Sequence, residues 1–120
     1  MWEVVYSSDF GRWIFSIDDQ SAKAIFRSIE ILKAMGPSLG RPHVDSIKGS
    51  RLSNLKELRT QVKRHVYRTF FAFDPTRKAI VLTGGDKVGD KRFYQRMIPL
   101  AEEIYADYQR SISHAKKNIP

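Results

Sequence analysis

Between Leu55 and Tyr94 the chain reads LKELRTQVKRHVYRTFFAFDPTRKAIVLTGGDKVGDKRFY, and most of the side chains there that could do chemistry are cations. Glu57 and Arg59 stand two apart in LKELR, so an extended backbone puts both on one face. Arg68 lies inside a run dense in aromatic residues, where an arginine must be paired or must face a site. Lys87, Lys91 and Arg92 follow in the charged segment DKVGDKR. Guanidinium groups are planar, always charged and fork-shaped, which suits the oxygens of a phosphate. The stretch therefore predicts a basic, phosphate-directed site.

Charge placement points the same way. The sequence has 21 Lys and Arg against 13 Asp and Glu, a formal net charge of +8. The segment from Arg41 to Arg92 holds 13 of the cations and 5 of the acids, so the whole excess lies mid-chain. A segregated basic region fits a polyanion, either nucleic acid or an acidic protein partner. Arg41, His43, Lys48 and Arg51 extend it into residues 36–53, where three glycines, two prolines and four serines read as a loop. There is no cysteine, which excludes disulfides, thiolate chemistry and cysteine-ligated metal; a reducing, cytoplasmic setting fits. No apolar run is long enough to span a membrane, and the N-terminus does not read as a signal peptide. The spacing of His43, His65 and His114 matches no metal-ligand pattern.

The elements that must hold these residues follow from pattern. At 120 residues a single domain over 1–120 is expected. Met1 to Tyr6 reads as an edge or first strand. Ser7, Ser8 or Asp9 can cap a helix whose apolar face is Phe10, Trp13, Ile14 and Ile17. Asp18 or Asp19 can cap a second, with a stripe of Ala22, Ile25, Phe26, Ile29, Leu32 and Met35, ended by Gly36-Pro37. A short strand is possible around Val44 to Lys48. Leu55 to Val62 alternates; Leu58 and Val62 face the core, which puts Glu57 and Arg59 on the open face. Lys63-Arg64-His65 is a turn, Val66 to Phe73 a central strand with both faces at least partly covered, Asp74 to Arg77 a turn, and Ala79 to Thr83 a strand ended by Gly84-Gly85. Pro99 fits the first turn of a last helix beginning near Ile98, with Leu100, Ala101, Ile104, Tyr108 and Ile112 inward and Glu102 and Glu103 at the dipole; a frayed tail is expected from Ser113. The expected class is α+β, an antiparallel β-meander packed with two N-terminal helices and a C-terminal helix. The first two helices carry little net charge, so neither is a good recognition helix for DNA.

Four segments in order resemble a known family: GPSLGRPHVDSIKGS (Gly36–Ser50), LKELR (Leu55–Arg59), YRTFFAFDPTRKAIVL (Tyr67–Leu82) and GGDKVGDKRFYQRMIP (Gly84–Pro99). They resemble the RelE/HigB-like toxins of type II toxin–antitoxin modules, in particular the phage-derived HigB branch, over nearly the whole chain. The resemblance implies the RelE-like, microbial-RNase-type fold and an endoribonuclease that cleaves mRNA, often on the ribosome. It also implies a HigA-like helix-turn-helix antitoxin as partner, and no cofactor.

For individual residues the resemblance implies catalytic roles for Arg59, Arg68, Lys87, Lys91 and Tyr94, and RNA contacts from Arg41, Lys48, Arg51 and Arg92. Arg68 matches a phosphate-binding arginine, and Tyr94 an aromatic that stacks on a base or moves a proton. Glu57 stands where some relatives have a basic residue. The segment DKVGDKRFY departs from the lysine- and threonine-rich loop of many phage-type members, so the proton-transfer residues stay open. RNA supplies its own nucleophile, the 2′-OH. Arg59 and Arg68 would hold the phosphate; Lys87 or Lys91, crowded by arginines, Glu57 and Tyr94 are the candidates to move protons. Each residue also has a plainer reading. Arg59 and Glu57 could simply pair, Arg68 could be a buried structural ion pair, Lys87, Lys91 and Arg92 a solvated start to a helix, and Tyr94 part of the core. A different class of function, inhibition of DNA gyrase without catalysis, is known among ParE-like proteins of the same fold. The density of Arg, Lys and Tyr at the strand ends favours phosphate chemistry.

Overall fold

The computed structural model describes the backbone of residues 1–117 and side chains through residue 115. Strand β1 (Glu3–Tyr6) is followed by helices α1 (Ser8–Ser16) and α2 (Asp19–Met35) and a single 3-10 turn (Gly36–Ser38). Strands β2 (Val44–Ser46), β3 (Leu55–Val62), β4 (His65–Phe73) and β5 (Lys78–Asp86) then lead to helix α3 (Phe93–Lys117). They build one sheet in the order β1-β5-β4-β3-β2. The pairings β2–β3, β3–β4 and β4–β5 are antiparallel, while β1 returns to lie parallel to β5. This is the expected α+β meander, with a parallel edge strand added.

Local signals set the first half. Ser7 caps α1, its Oγ accepting the Phe10 N–H at 3.0 Å, and Asp18 caps α2 by accepting the Ser21 N–H at 3.1 Å. Gly36 ends α2 at φ 58°, and the Trp2 indole fills the space where a Cβ would stand. The line that α2 buries is Ser21, Ile25, Ile29 and Leu32. Phe26 and Met35, expected on that stripe, stay largely exposed. Phe26 lies to one side of the line and packs edge-on against Tyr6 and Phe10. Helices α1 and α2 cover one face of the sheet, where Phe10, Ile14 and Ile29 meet Leu58, Tyr67 and Val81.

The other face is not open. Helix α3 covers it, placing Phe93, Met97, Ala101, Ile104 and Tyr105 on Leu55, Phe70, Ile80 and Leu82. Several expectations change as a result. Helix α3 begins at Phe93, not near Ile98, so Pro99 lies in its second turn and forgoes the bond to the Gln95 carbonyl. The burial of Phe93 and Met97 outweighs that loss. Leu100 points outward and Tyr105 takes the inward place. Glu102 is well past the first turn and buried; it accepts the Ser50 hydroxyl and the Arg51 N–H, both at 2.8 Å, which ties the preceding loop to α3. The helix runs on through Ser113 to Lys117, and the last part of the expected frayed tail, residues 118–120, lies outside the described residues. The β3–β4 turn is only Lys63-Arg64, with Lys63 at φ 53°, and His65 already pairs with Val62.

Gly84 and Gly85 do not end β5; they lie within it. A Cβ on Gly84 would sit 2.3 Å from the Trp13 ring on the α1 side, and one on Gly85 would sit 2.9 Å from the Phe93 ring on the α3 side. Two adjacent glycines thus let an aromatic ring approach the sheet closely from each face. Gly85 is the register partner of Arg68, so the start of α3 is brought down beside that arginine. Among the described residues no helix is long and apolar enough to cross a membrane.

Candidate functional site

Strand register assembles the site. Arg59 of β3 pairs directly with Arg68 of β4, and Glu57 pairs with Phe70 on one side and Asp45 of β2 on the other. Glu57, Arg59 and Arg68 therefore share the α3 face. Directly opposed like charges repel, and two carboxylates offset this. Glu57 Oε2 accepts from Nε and from a terminal nitrogen of Arg59, both at 3.1 Å, and Asp45 Oδ2 accepts from that same terminal nitrogen at 3.2 Å. Arg41 also pairs with Asp45, at 3.0 Å; its hydrogen bond is the main reason the Asp45 carboxyl is held below its usual range.

Tyr94, second residue of α3, donates its hydroxyl to Glu57 Oε1 at 2.7 Å. Its ring packs edge-on against Phe70 and Phe93, and the Lys87 ammonium lies 5.6 Å from its centroid. Burial pushes the Tyr94 phenol above the usual tyrosine value; the bond to Glu57 adds to this and Arg68 works against it. The phenol is therefore protonated at neutral pH, the form that can donate.

Arg68 differs from Arg59. Its side chain is 11% exposed, and one terminal nitrogen donates to its neighbour's carbonyl, Tyr67 O, at 3.1 Å. Its Nε is 3.6 Å from Glu57 Oε1, beyond hydrogen-bond reach, and has no partner among the described residues. A buried guanidinium N–H without a partner is costly and calls for an explanation. Arg59, by contrast, has Nε and one terminal nitrogen on carboxylates and is 34% exposed. The sequence offers the two arginines as equals; the geometry does not.

Two clefts meet at Tyr94. One, of about 290 Å³, is lined by Ser46, Ile47, Lys48, Glu57 and Tyr94. The other, of about 440 Å³, is lined by Lys87, Gly89, Asp90, Lys91, Phe93, Tyr94 and Gln95. The candidates Arg59, Arg68, Lys87 and Tyr94 thus come together, with Lys48 and Lys91 in the flanking clefts and Arg41 joined through Asp45. Arg92 is exposed beside the second cleft, its N–H donating to Asp90 Oδ1 at 3.1 Å. Arg51 stands apart, near the buried Glu102. His65 is on the opposite, α1 side of the sheet, stacked on Tyr67 and paired with Asp86 at 2.6 Å. Among the described residues no group of three or more His, Asp or Glu is arranged to hold a metal ion.

Glu57 is the largest departure from expectation. It is 3% exposed, a buried hub and not an open-face carboxylate. Asp45 was not singled out by sequence reasoning, and Gly85 was read only as part of a strand end. Asp45 lies in the segment read as a possible strand, but its position opposite Glu57 depends on a strand register that no local pattern specifies.

The description "Phage derived protein Gp49-like (DUF891)" matches residues 12–106. The chain belongs to the Gp49-like family, on the HigB branch of the RelE-type toxins. It is 43% identical to the Mycobacterium tuberculosis protein "Putative toxin HigB3" over 93 residues, covering 77% of this chain and 80% of that one. It is 39% identical to "Putative toxin HigB2" of the same organism over 106 residues, covering 87% of this chain but only 53% of that one, so it spans about half of HigB2. The fold matches the RelBE2 toxin–antitoxin complex of M. tuberculosis (TM-score 0.57, 11% identity, 71% of this chain and 96% of that one). It also matches a mutant of the E. coli toxin RelE in the free state (TM-score 0.57, 6% identity, 77% and 90%). A third match is the RelE–RelB complex of Pyrococcus horikoshii OT3 (TM-score 0.53, 15% identity, 73% and 97%). At such identities these structures establish the RelE-like fold alone.

Proposed function

We propose that this protein is the toxin of a type II toxin–antitoxin module and acts as an endoribonuclease on mRNA, probing translated messages on the ribosome in the cytoplasm. The observation that carries this reading is the convergence of the Tyr94 hydroxyl and the Arg68 guanidinium on Glu57, with the Lys87 ammonium near the Tyr94 ring, between two clefts edged by lysines. RNA threaded across Tyr94 puts a nucleotide in each cleft and the scissile phosphate at the Tyr94 hydroxyl.

The chemistry needs no metal, because the 2′-OH of the RNA is the nucleophile. Its oxygen attacks the adjacent phosphorus while a base takes its proton; Lys87, beside the Tyr94 ring, and Lys91 in the outer cleft are the candidates. Arg68 stabilises the added charge on the non-bridging oxygens. The P–O5′ bond breaks as the Tyr94 hydroxyl gives its proton to the leaving oxygen. The products are a 2′,3′-cyclic phosphate and a 5′-hydroxyl. Arg41, Lys48 and Arg92 serve as phosphate contacts along the strand, while Arg51 lies apart from this path. A HigA-like helix-turn-helix antitoxin is the expected partner; two of the fold relatives are toxin–antitoxin complexes.

The test is induced expression in a bacterium without the antitoxin, with mapping of mRNA 5′ ends. Growth arrest with new 5′ ends inside translated frames is expected. Arrest with intact mRNA and damaged or relaxed DNA would replace this reading with gyrase inhibition, and no arrest would remove both.

A further inference from the structure

Glu57 has no role in the steps above, yet it is the most completely enclosed charge in the site. A buried carboxylate persists only where its partners compensate for lost hydration. Its two oxygens divide the work. Oε2 takes the Arg59 fork, so Arg59 is held flat on the sheet between Glu57 and Asp45. Oε1 takes the Tyr94 hydroxyl at 2.7 Å and leaves Arg68 Nε at 3.6 Å, close enough for attraction and too far for a hydrogen bond. The phenol oxygen is thus fixed in place, while its proton can still turn about the C–O bond.

We propose that Glu57 is a positioning residue: its buried carboxylate, neutralised by Arg59, fixes the Tyr94 hydroxyl beside Arg68 and at the edge of the cleft where the scissile phosphate would sit. The proposal rests on the ribonuclease reading. It gives Arg59 the duty of neutralising the anchor. It also accounts for an acid at the centre of a site that binds a polyanion: the carboxylate is almost wholly buried and its charge is compensated by Arg59 and the Tyr94 hydroxyl. Phe70, edge-on to Tyr94 at 6.4 Å between centroids, and Phe93, seated against Gly85, close the remaining sides.

The experiment compares wild type, Glu57→Gln, Tyr94→Phe and the double variant in single-turnover RNA cleavage. Affinity for an RNA bearing a 2′-deoxy scissile nucleotide, and thermal melting, are measured alongside. Glu57→Gln keeps the volume and one acceptor but loses the charge and half of the anchor. Cleavage is expected to slow about 10- to 100-fold through misplacement of Tyr94, while affinity for the uncleavable RNA is unchanged or tighter because a negative charge is gone. The double variant is expected to match Tyr94→Phe within about twofold, since residues acting through one another are not additive. Cleavage by Glu57→Gln at the wild-type rate would overturn the proposal. So would multiplicative losses in the double variant, or RNA affinity lost in parallel with cleavage. If Glu57→Gln does not fold, Glu57→Asp, which keeps the charge and retracts the carboxylate by one methylene, is expected to show the same slowing with RNA affinity kept; full activity there would count equally against it. Failure of the wild type to cleave RNA, with or without ribosomes, would sink the ribonuclease reading itself. An active wild type with an unimpaired Glu57 variant would sink the positioning role alone.

Discussion

Arg59 and Arg68 face each other across two strands, and their different surroundings make a sharp comparison at the scale of single residues. Arg68→Ala removes the more buried of the two guanidinium groups and with it a positive charge beside Tyr94. Cleavage is expected to fall about 100- to 1,000-fold, as for loss of one group that stabilises transition-state charge, with circular dichroism close to that of wild type. A folded Arg68→Ala variant that still arrests growth would refute the assignment. Arg59→Ala instead strips Glu57 of its main partner. It is expected to lower stability by about 1–3 kcal/mol, the cost of leaving a buried polar group unsatisfied, read as a shift in the urea midpoint. The sequence marks both positions as basic and strand-borne. It does not mark which one is already paired, because that depends on Asp45 and Glu57 meeting across β2 and β3.

At the scale of elements, the start of α3 decides the shape of the site. Phe93 enters the gap over Gly85, and Tyr94 follows it onto Glu57. Gly85→Ala would place a Cβ 2.9 Å from the Phe93 ring. Overpacking of this kind costs about 1–3 kcal/mol, and it would lift Tyr94 off its anchor as well. Both the melting temperature and the cleavage rate are expected to fall, whereas Gly89→Ala in the adjoining loop, where a Cβ would meet nothing within 4 Å but φ is 69°, is expected to affect stability with little change in rate per folded molecule. A larger rate loss for Gly89 than for Gly85 would contradict this placement. Alternation in β3 correctly separates Leu58 and Val62 from Glu57 and Arg59. The helix that covers the second set is misplaced by local reading, because Pro99 signals a first turn that tertiary packing moves one turn upstream.

For the whole molecule, charge controls two behaviours. The carboxyls of Asp18, Asp45 and Glu102 lie below their usual range, held there chiefly by hydrogen bonds from Ser21, Arg41 and Ser50; at Asp86 partial burial acts upward, but bonds from His65, Val66 and Val88 outweigh it. With folded values lowered, the unfolded chain takes up protons first as the pH falls. Their stabilisation is thus present at neutral pH and lost as the pH drops from about 4 through the folded values. Urea unfolding at pH 7, 4 and 3 is expected to show a midpoint that declines over the last two points; a midpoint that rises toward pH 3 would contradict the sign. The +8 charge, concentrated between Arg41 and Arg92, predicts RNA binding that weakens steeply with salt. Lys87→Ala is expected to reduce the slope of log affinity against log salt by about 0.7, the value for one contact to a single-stranded phosphate backbone. An unchanged slope would remove Lys87 from the RNA path.

Short-range chemistry was enough to narrow the caps to Ser7, Ser8 or Asp9 and to Asp18 or Asp19, and to read the stop at Gly36, the meander from Leu55 to Thr83 and the gathering of cations along it. Each depends on residues a few positions apart, so the local chain carries the information. The parallel return of β1 onto β5, the covering of the second face by α3 and the enclosure of Glu57 depend on contacts between distant residues. Glu57 and Tyr94 are 37 positions apart, and what joins them is strand register and the close approach of Phe93 to Gly85. Composition along the chain determined that there would be a basic site; only the packing of α3 on the sheet decided that a buried carboxylate would organise it.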